Sequence, residues 1–446
     1  MERYLTTRRV VRYLSHPNRR CHRASSSYSL GADRDIDPTL IVTAMMMATL
    51  ENTGKGAEMK ITAIKPIMAD GGHRVFVFVK VETDQPGLVG WGEASVEGKP
   101  RAVVGCIQDM EPMIVDLDPR RVEHCWQILY RSGFWRQGVI GLSAISGIDQ
   151  ALWDIKGKDL GRPIYELLGG PVRDHVRMYT HFGGDTPDAM ARNALEKVER
   201  GWTAIKTVPV PPTQVLAGPE AVRKAVAGLS AVREAVGPDI DILLDFHGRL
   251  TPAAAIQYGK AFEPYQPMFL EEPSQAENPA AMAPIAHALT TPIATGERLF
   301  TRWGFREILQ TGAASVLQPD ACHAGGISEV RKIATMAEVY YAGVAPHNPY
   351  GPISTAACVH LDFVCPNFLI QEIVDPEESP EAMSLVVEPL PIVDGVILPP
   401  TKPGLGVEID EAACARRQPD FSSEHARNMA MRNYGAFHRD GSVADS

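Results

Sequence analysis

Between Val176 and Glu372 the chain alternates short apolar segments with stretches of helix length, and this rhythm limits its possible folds more than any other feature. The apolar segments are Val176–Thr180, Ala204–Thr207, Ile240–His247, Met268–Pro273, Ile293–Arg298, Ser315–Asp320, Gly343–His347 and Phe368–Glu372. Strands joined through helices lie parallel, and eight of them in one run predict a β/α barrel. Such a barrel takes about 250 residues, so a chain of 446 residues holds more than the barrel.

The remainder sorts by pattern. Lys60–Ile64 and Val75–Glu82 read as strands, the second strictly alternating, with the turn-rich Thr83–Gly87 after them, and together they predict a hairpin. Helical patterns follow at about 101–117, 120–132 and 142–158 before a break at Leu167–Pro171. Residues 59–175 are therefore expected to form an α+β capping domain, 176–390 the barrel, and 391–446 a segment returning to the cap. Met1–Ser29 is rich in Arg and Ser and poor in acids. Residues 1–58 accordingly read either as an extension carrying an organelle transit peptide or as a disordered or misassigned leader, without chemistry of their own.

The sharpest signal is a spacing. Asp245, Glu271 and Glu297 stand 26 residues apart in turn, each at the end of an apolar segment. One β/α unit has about that length, which predicts three carboxylates at one height on neighbouring strands, at the rim where barrel enzymes work. Converging like charges repel unless a cation sits among them, and oxygen donors suit Mg²⁺ or Mn²⁺. His247 lies two residues after Asp245, and strand periodicity points both into the same cavity. Asp320 ends the sixth segment and His347 the seventh, so the carboxylate can hydrogen-bond the ring, fix its tautomer and raise its basicity. Strands three and seven face each other across an eight-strand ring. Two imidazoles flanking one carbon skeleton suit removal of a proton α to a carboxylate. Glu372, ending the eighth segment, is either a surface acid or a group that burial keeps protonated to donate a hydrogen bond to the intermediate. Lys206 closes the second segment and is read as balancing charge; Val208 excludes a catalytic lysine at that position. His323-Ala-Gly-Gly326 is either a ligand-contacting loop or a turn.

Composition excludes several functions. The formal charge is 44 − 54 = −10, with seven Arg and one Glu giving +6 to residues 1–27 and −16 to everything after them. So acidic a body is not expected to bind nucleic acid. The apolar run Leu40–Leu50 has eleven residues, against about 20 for a membrane span. Seven scattered cysteines without a CxxC pair point to reduced thiols inside the cell. Phosphate-binding, HExxH and GxSxG motifs are absent.

At these residues the chain resembles the enolase superfamily in its mandelate racemase branch. The resemblance runs from Met59 to the C-terminus through Gly90-Trp-Gly-Glu93, Ser143–Gly157, Leu244–Arg249, Leu270-Glu-Glu-Pro273, Ala294–Arg298, Leu317–Asp320, His323–Ile327, Ala345-Pro-His347 and Thr401–Ala412. It implies a modified (β/α)8-type barrel, (β/α)7β, with an enolase-like cap. It implies Mg²⁺, with Mn²⁺ as substitute, on Asp245, Glu271 and Glu297, the first of the two adjacent glutamates matching the ligand. His347, supported by Asp320, would take the proton from C2, His247 would protonate the departing 3-hydroxyl, and Glu372 would stabilise the enediolate, the superfamily pattern of a His base with a metal. The implied reaction is dehydration of an acid sugar, D-galactonate first, to a 2-keto-3-deoxy acid. A racemase, epimerase or cycloisomerase of the same fold, and a metabolite-binding barrel without catalysis, stand as alternatives. Met68–His73, Thr207–Pro212 and Ile373–Ser379 depart from the family's usual residues where specificity is set. A homo-oligomer and a cytoplasmic location, or a mitochondrial one if the leader is a transit peptide, complete the expectation.

Overall fold

A computed structural model describes residues 59–211 and 215–423. The expectations for residues 1–58, the Leu40–Leu50 run among them, lie outside it. An antiparallel sheet β1 (Ile61–Asp70), β2 (Val75–Thr83) and β3 (Val89–Glu93) begins the described chain. Three helices follow: α1 (Pro100–Ile114), α2 (Val122–Arg131) and α3 (Val139–Leu160). The alternation in β2 serves two cores at once. Val77, Val79 and Val81 join the cluster of the cap helices, whereas Phe76 and Phe78 join the barrel's. Gly90 and Gly92 let β3 lie directly on α3, since a Cβ at either would sit 2.0 or 1.9 Å from the carbonyl oxygen of Ala151 or Gly147.

A short helix α4 (Ile164–Leu167) leads into the barrel strands β4 (Val176–His181), β5 (Ala204–Thr207), β6 (Asp241–Asp245), β7 (Leu270–Glu271), β8 (Ile293–Thr295), β9 (Val316–Leu317), β10 (Gly343–Val344) and β11 (Gln371–Glu372). Neighbours pair in parallel from β4 to β10, β11 pairs β4, and a Val344–Phe368 bridge closes the ring. The helices between them are α5 (Pro187–Glu199), α6 (Pro219–Val236), α7 (Pro252–Phe262), α8 (Ala283–Ala288), α9 (Thr301–Thr311), α10 (Gly326–Val339) and α11 (Pro352–Val364). Several begin with Pro, whose missing N–H is one that a helix start leaves unbonded anyway. The ladders are shorter than the apolar segments because the chain turns out of the sheet early, with positive φ at His247, Glu272 and Gly296.

After α12 (Pro380–Met383), β12 (Val396–Ile397) adds antiparallel to β4. The chain then runs along the cap: the Leu405 amide donates to Asp154 at 2.8 Å, Glu408 accepts from the Trp91 indole at 2.8 Å, and the Asp70 amide donates to the Arg417 carbonyl just after α13 (Glu411–Arg416). The shared motifs bind cap to barrel. Glu93 accepts from the amides of Gly351 and Ser354, both at 2.9 Å, and so caps α11. Asp149 accepts from the Ser328 amide in the first turn of α10, and Gln150 donates to the Ala321 carbonyl. No helix among the described residues is long and apolar enough to cross a membrane.

Candidate active site

A cavity of about 700 Å³ opens at the C-terminal ends of the barrel strands, roofed by Arg74, Val96, Glu97 and Val139 of the cap. Asp245 and Glu271 are register partners on β6 and β7, so their carboxylates stand side by side. Glu297 does not share that height. The partner of Glu271 on β8 is Ala294, and Glu297 comes in from the loop beyond the strand. Gly296 makes this possible with φ 145°, where an added Cβ would lie 2.7 Å from Phe305 and 2.9 Å from the Gln318 amide. Donor oxygens of the three acids lie within 4.8 Å of one another.

Lys206 is the buried cation of this cluster. Its Nζ is 2.6 Å from Glu372, 2.9 Å from Glu271 and 3.2 Å from Asp245. Burial and Asp245 push Glu271 above the carboxylate range. Lys206 and His247 outweigh burial at Asp245 and hold it down. The neighbouring Glu272 turns away to Arg298, Thr295 and the Gly296 amide, which leaves Glu271 as the donor of the pair. Three converging oxygen acids, two of them against one lysine, form a donor set that suits a hard divalent ion.

His347 Nδ1 lies 2.6 Å from Asp320, and its Nε2 faces Glu297 at 3.3 Å and Glu372 at 4.0 Å. Burial opposes charge on this ring, but Glu297, Glu372 and Asp320 overcome it and push its pKa up to about 10. His247 reaches the cavity by another route than strand periodicity. β6 ends at Asp245, and His247 adopts φ 50° beyond it. Its amide donates to Asp245 at 2.9 Å and its Nε2 lies 3.2 Å from the same carboxylate. Asp245 raises the His247 pKa against burial.

The expectation of a protonated Glu372 is not met. Burial does favour the neutral acid, but Lys206, His347 and His181 together hold Glu372 well below the carboxylate range. It accepts from the Asn348 amide at 2.8 Å and contacts His181 Nε2 at 2.7 Å. His181 and Asn348 were not picked out from the sequence. One ends β4 a residue beyond the expected strand, and the other follows His347; an acid–imidazole pairing of β11 with β4 becomes visible only once the ring closes. Tyr350 and the His323 ring also line the cavity. Val208 faces it without a polar group, and the Met68–His73 departure comprises the end of β1 and the tight turn after it, in which the Gly71 amide donates to the Arg74 carbonyl.

Fold and site together define a capped β/α-barrel enzyme with acids and two imidazoles gathered at one rim. The mandelate racemase/muconate lactonizing enzyme N-terminal domain matches residues 58–169, and the enolase C-terminal domain-like family matches residues 189–413. The chain belongs to the mandelate racemase/muconate lactonizing enzyme family of the enolase superfamily. It is similar to D-galactonate dehydratases of Verminephrobacter eiseniae, 42% identical over 375 residues, and Ralstonia nicotianae, 44% identical over 378 residues. Each match covers 83% of this chain and 96% of the relative. Among solved structures, a member of the enolase superfamily from Salmonella typhimurium is 35% identical, with TM-score 0.77, over 80% of this chain and 98% of that one.

Proposed function

We propose that this protein dehydrates an acid sugar with the help of Mg²⁺ or Mn²⁺, D-galactonate being the first substrate to test. The observation carrying this reading is the placing of two differently supported imidazoles, His347 on Asp320 and His247 on Asp245, at one cavity with three convergent acids. The names of the similar dehydratases support the substrate class. Asp245, Glu271 and Glu297 would hold the ion. When bound there it supplies positive charge against the acid cluster and against the negative charge that develops on the substrate carboxylate.

His347 keeps Nδ1–H on Asp320. With a cation held by Glu297 to offset the negative charge that raises the ring's pKa, Nε2 would be the base that takes the proton from the carbon α to the carboxylate. His247, whose hold on a proton Asp245 strengthens, gives its proton to the 3-hydroxyl, which leaves as water. The enol that remains ketonises to the 2-keto-3-deoxy acid. Glu372 acts as a carboxylate that grips Lys206 and His181 and so holds the lysine's positive charge at the strand ends, beside the acid cluster. We include in the same reading a homo-oligomer, with Phe134 and Trp135 88% and 81% exposed in the free chain, and a cytoplasmic or mitochondrial location. Sedimentation and fluorescent fusions with and without residues 1–58 test these two points.

The decisive experiment incubates the enzyme with Mg²⁺ and a panel of hexonates, pentonates and aldarates in D₂O. A dehydratase forms 2-keto-3-deoxy acid. Deuterium at C2 with every hydroxyl retained and no keto acid would identify a racemase or epimerase instead, and no reaction with any member of the panel would favour a binding protein.

A further inference from the structure

Three side chains outside the proposed proton-transfer pair form a chain of hydrogen bonds from the cap into the cavity. Ser143 on α3 is fully buried, and its Oγ lies 2.7 Å from the Val139 carbonyl oxygen and 2.7 Å from His323 Nδ1. The other ring nitrogen, Nε2, lies 2.8 Å from the Tyr350 hydroxyl. Both His323 and Tyr350 line the cavity, and the Tyr350 ring stands edge-on to His347 at 6.0 Å between centroids.

The direction of each bond follows from counting protons. A serine hydroxyl has one hydrogen, and a carbonyl has none to give. Two oxygens 2.7 Å apart without a hydrogen between them repel, so the Ser143 hydrogen points at Val139. The contact to His323 is then an Nδ1–H donating to Ser143. Burial lowers the pKa of this ring, so it is neutral near pH 7 and its Nε2 is a bare lone pair. The Tyr350 hydroxyl must donate to it. Its one hydrogen is spent on the protein, and the phenolic oxygen keeps only lone pairs for the cavity.

From this geometry we infer that Tyr350 is a specificity-determining residue whose oxygen accepts a hydrogen bond from one substrate hydroxyl, with Ser143 and His323 as the residues that fix its polarity. The inference rests on the acid-sugar reading and deepens it. Such a site rejects an analogue that lacks the hydroxyl, because the acceptor is then left dry and unpaired. It equally disfavours a carboxylate at that place, since two acceptors would face each other.

Two measurements test it. The first needs no turnover: ¹⁵N spectra of histidine-labelled protein, with the His323 signals assigned by their loss in His323→Gln. A neutral ring protonated at Nδ1 is expected, moving toward Nε2–H in Ser143→Ala; a wild-type ring carrying its proton on Nε2, or on both nitrogens, overturns the inference. The second compares wild type and Tyr350→Phe on D-galactonate and its 4-, 5- and 6-deoxy analogues. The wild type should discriminate against one analogue by about tenfold or more in kcat/KM. Tyr350→Phe should lower kcat/KM on D-galactonate to about that of the disfavoured analogue, so that this one discrimination disappears while the analogue itself is handled as by the wild type. A uniform loss on all substrates, or discrimination that survives the substitution, would sink the idea. Absence of turnover by the wild type would count against the proposed function, and the nitrogen spectra would still decide the polarity at Tyr350.

Discussion

Lys206 shows how one buried charge organises several others. It touches Asp245, Glu271 and Glu372, and all four side chains are almost inaccessible. Removing one partner of a buried ionic cluster typically costs about 3–5 kcal/mol because the rest remain buried and uncompensated. Lys206→Met should therefore lower the melting temperature strongly in EDTA, and saturating Mg²⁺ should recover a larger share of stability in the variant than in the wild type. Equal Mg²⁺ gains in both proteins would show that the ion and the lysine do not answer the same acids. His347→Asn should abolish C2 exchange, whereas His247→Asn should keep exchange and stop water loss. Full activity in both variants would refute the assigned roles. The acid spacing of 26 made Asp245 and Glu271 legible in the sequence, together with Glu297. His181 carried no such signal, since its partner Glu372 lies 191 positions away.

At the scale of elements, the site depends on turns at strand ends more than on the strands. Glu297 enters the cluster through Gly296, at a backbone conformation closed to other residues. Gly296→Ala should cost roughly 2 kcal/mol or more and weaken Mg²⁺ binding, which denaturation and calorimetric titration would measure separately. Unchanged Mg²⁺ affinity would mean that Glu297 is placed by other contacts. The Gly90-Trp-Gly-Glu93 motif works at the same scale. Glu93 is buried and its pKa is pushed up to about 7 by burial, yet it caps α11, which starts five residues after His347. Glu93→Ala leaves two buried amides unbonded and should cost about 2–4 kcal/mol, with a fall in C2 exchange as the His347 segment loosens. Denaturant titration and the exchange rate check the two parts.

For the whole molecule, the join of barrel, cap and tail rests partly on His360 of α11. Its Nδ1 accepts from the Tyr165 amide and its Nε2 donates to the Leu405 carbonyl, both at 3.2 Å. Only the neutral ring can make both bonds, and burial lowers its pKa to about 4. The unfolded chain, with a pKa of about 6.5, binds more protons between these values. The stabilisation is present above pH 6.5 and is lost as pH falls toward 4, by about 3 kcal/mol in all. Asp149, Asp154 and Glu93, raised by burial to about 7, 6 and 7, act in the opposite sense, since a folded acid with a raised pKa gains stability on acidification. The comparison is therefore made between wild type and His360→Gln. The stability difference should shrink between pH 6.5 and 4, and parallel profiles would show that His360 does not titrate with unfolding.

The sequence alone determined the barrel, the cap elements and the three acids, because apolar periodicity and the length of a β/α unit are local properties that each segment displays by itself. It also paired Asp320 with His347 by adjacency of strands. The ionised state of Glu372, the route of His247 into the cavity, the link from His181 to β11 and the direction of the Ser143–His323–Tyr350 chain were decided only in three dimensions. Protonation, tautomer and side-chain aim depend on charges and hydrogen-bond partners brought together from distant segments, and ring closure brings them within a few ångströms of one another.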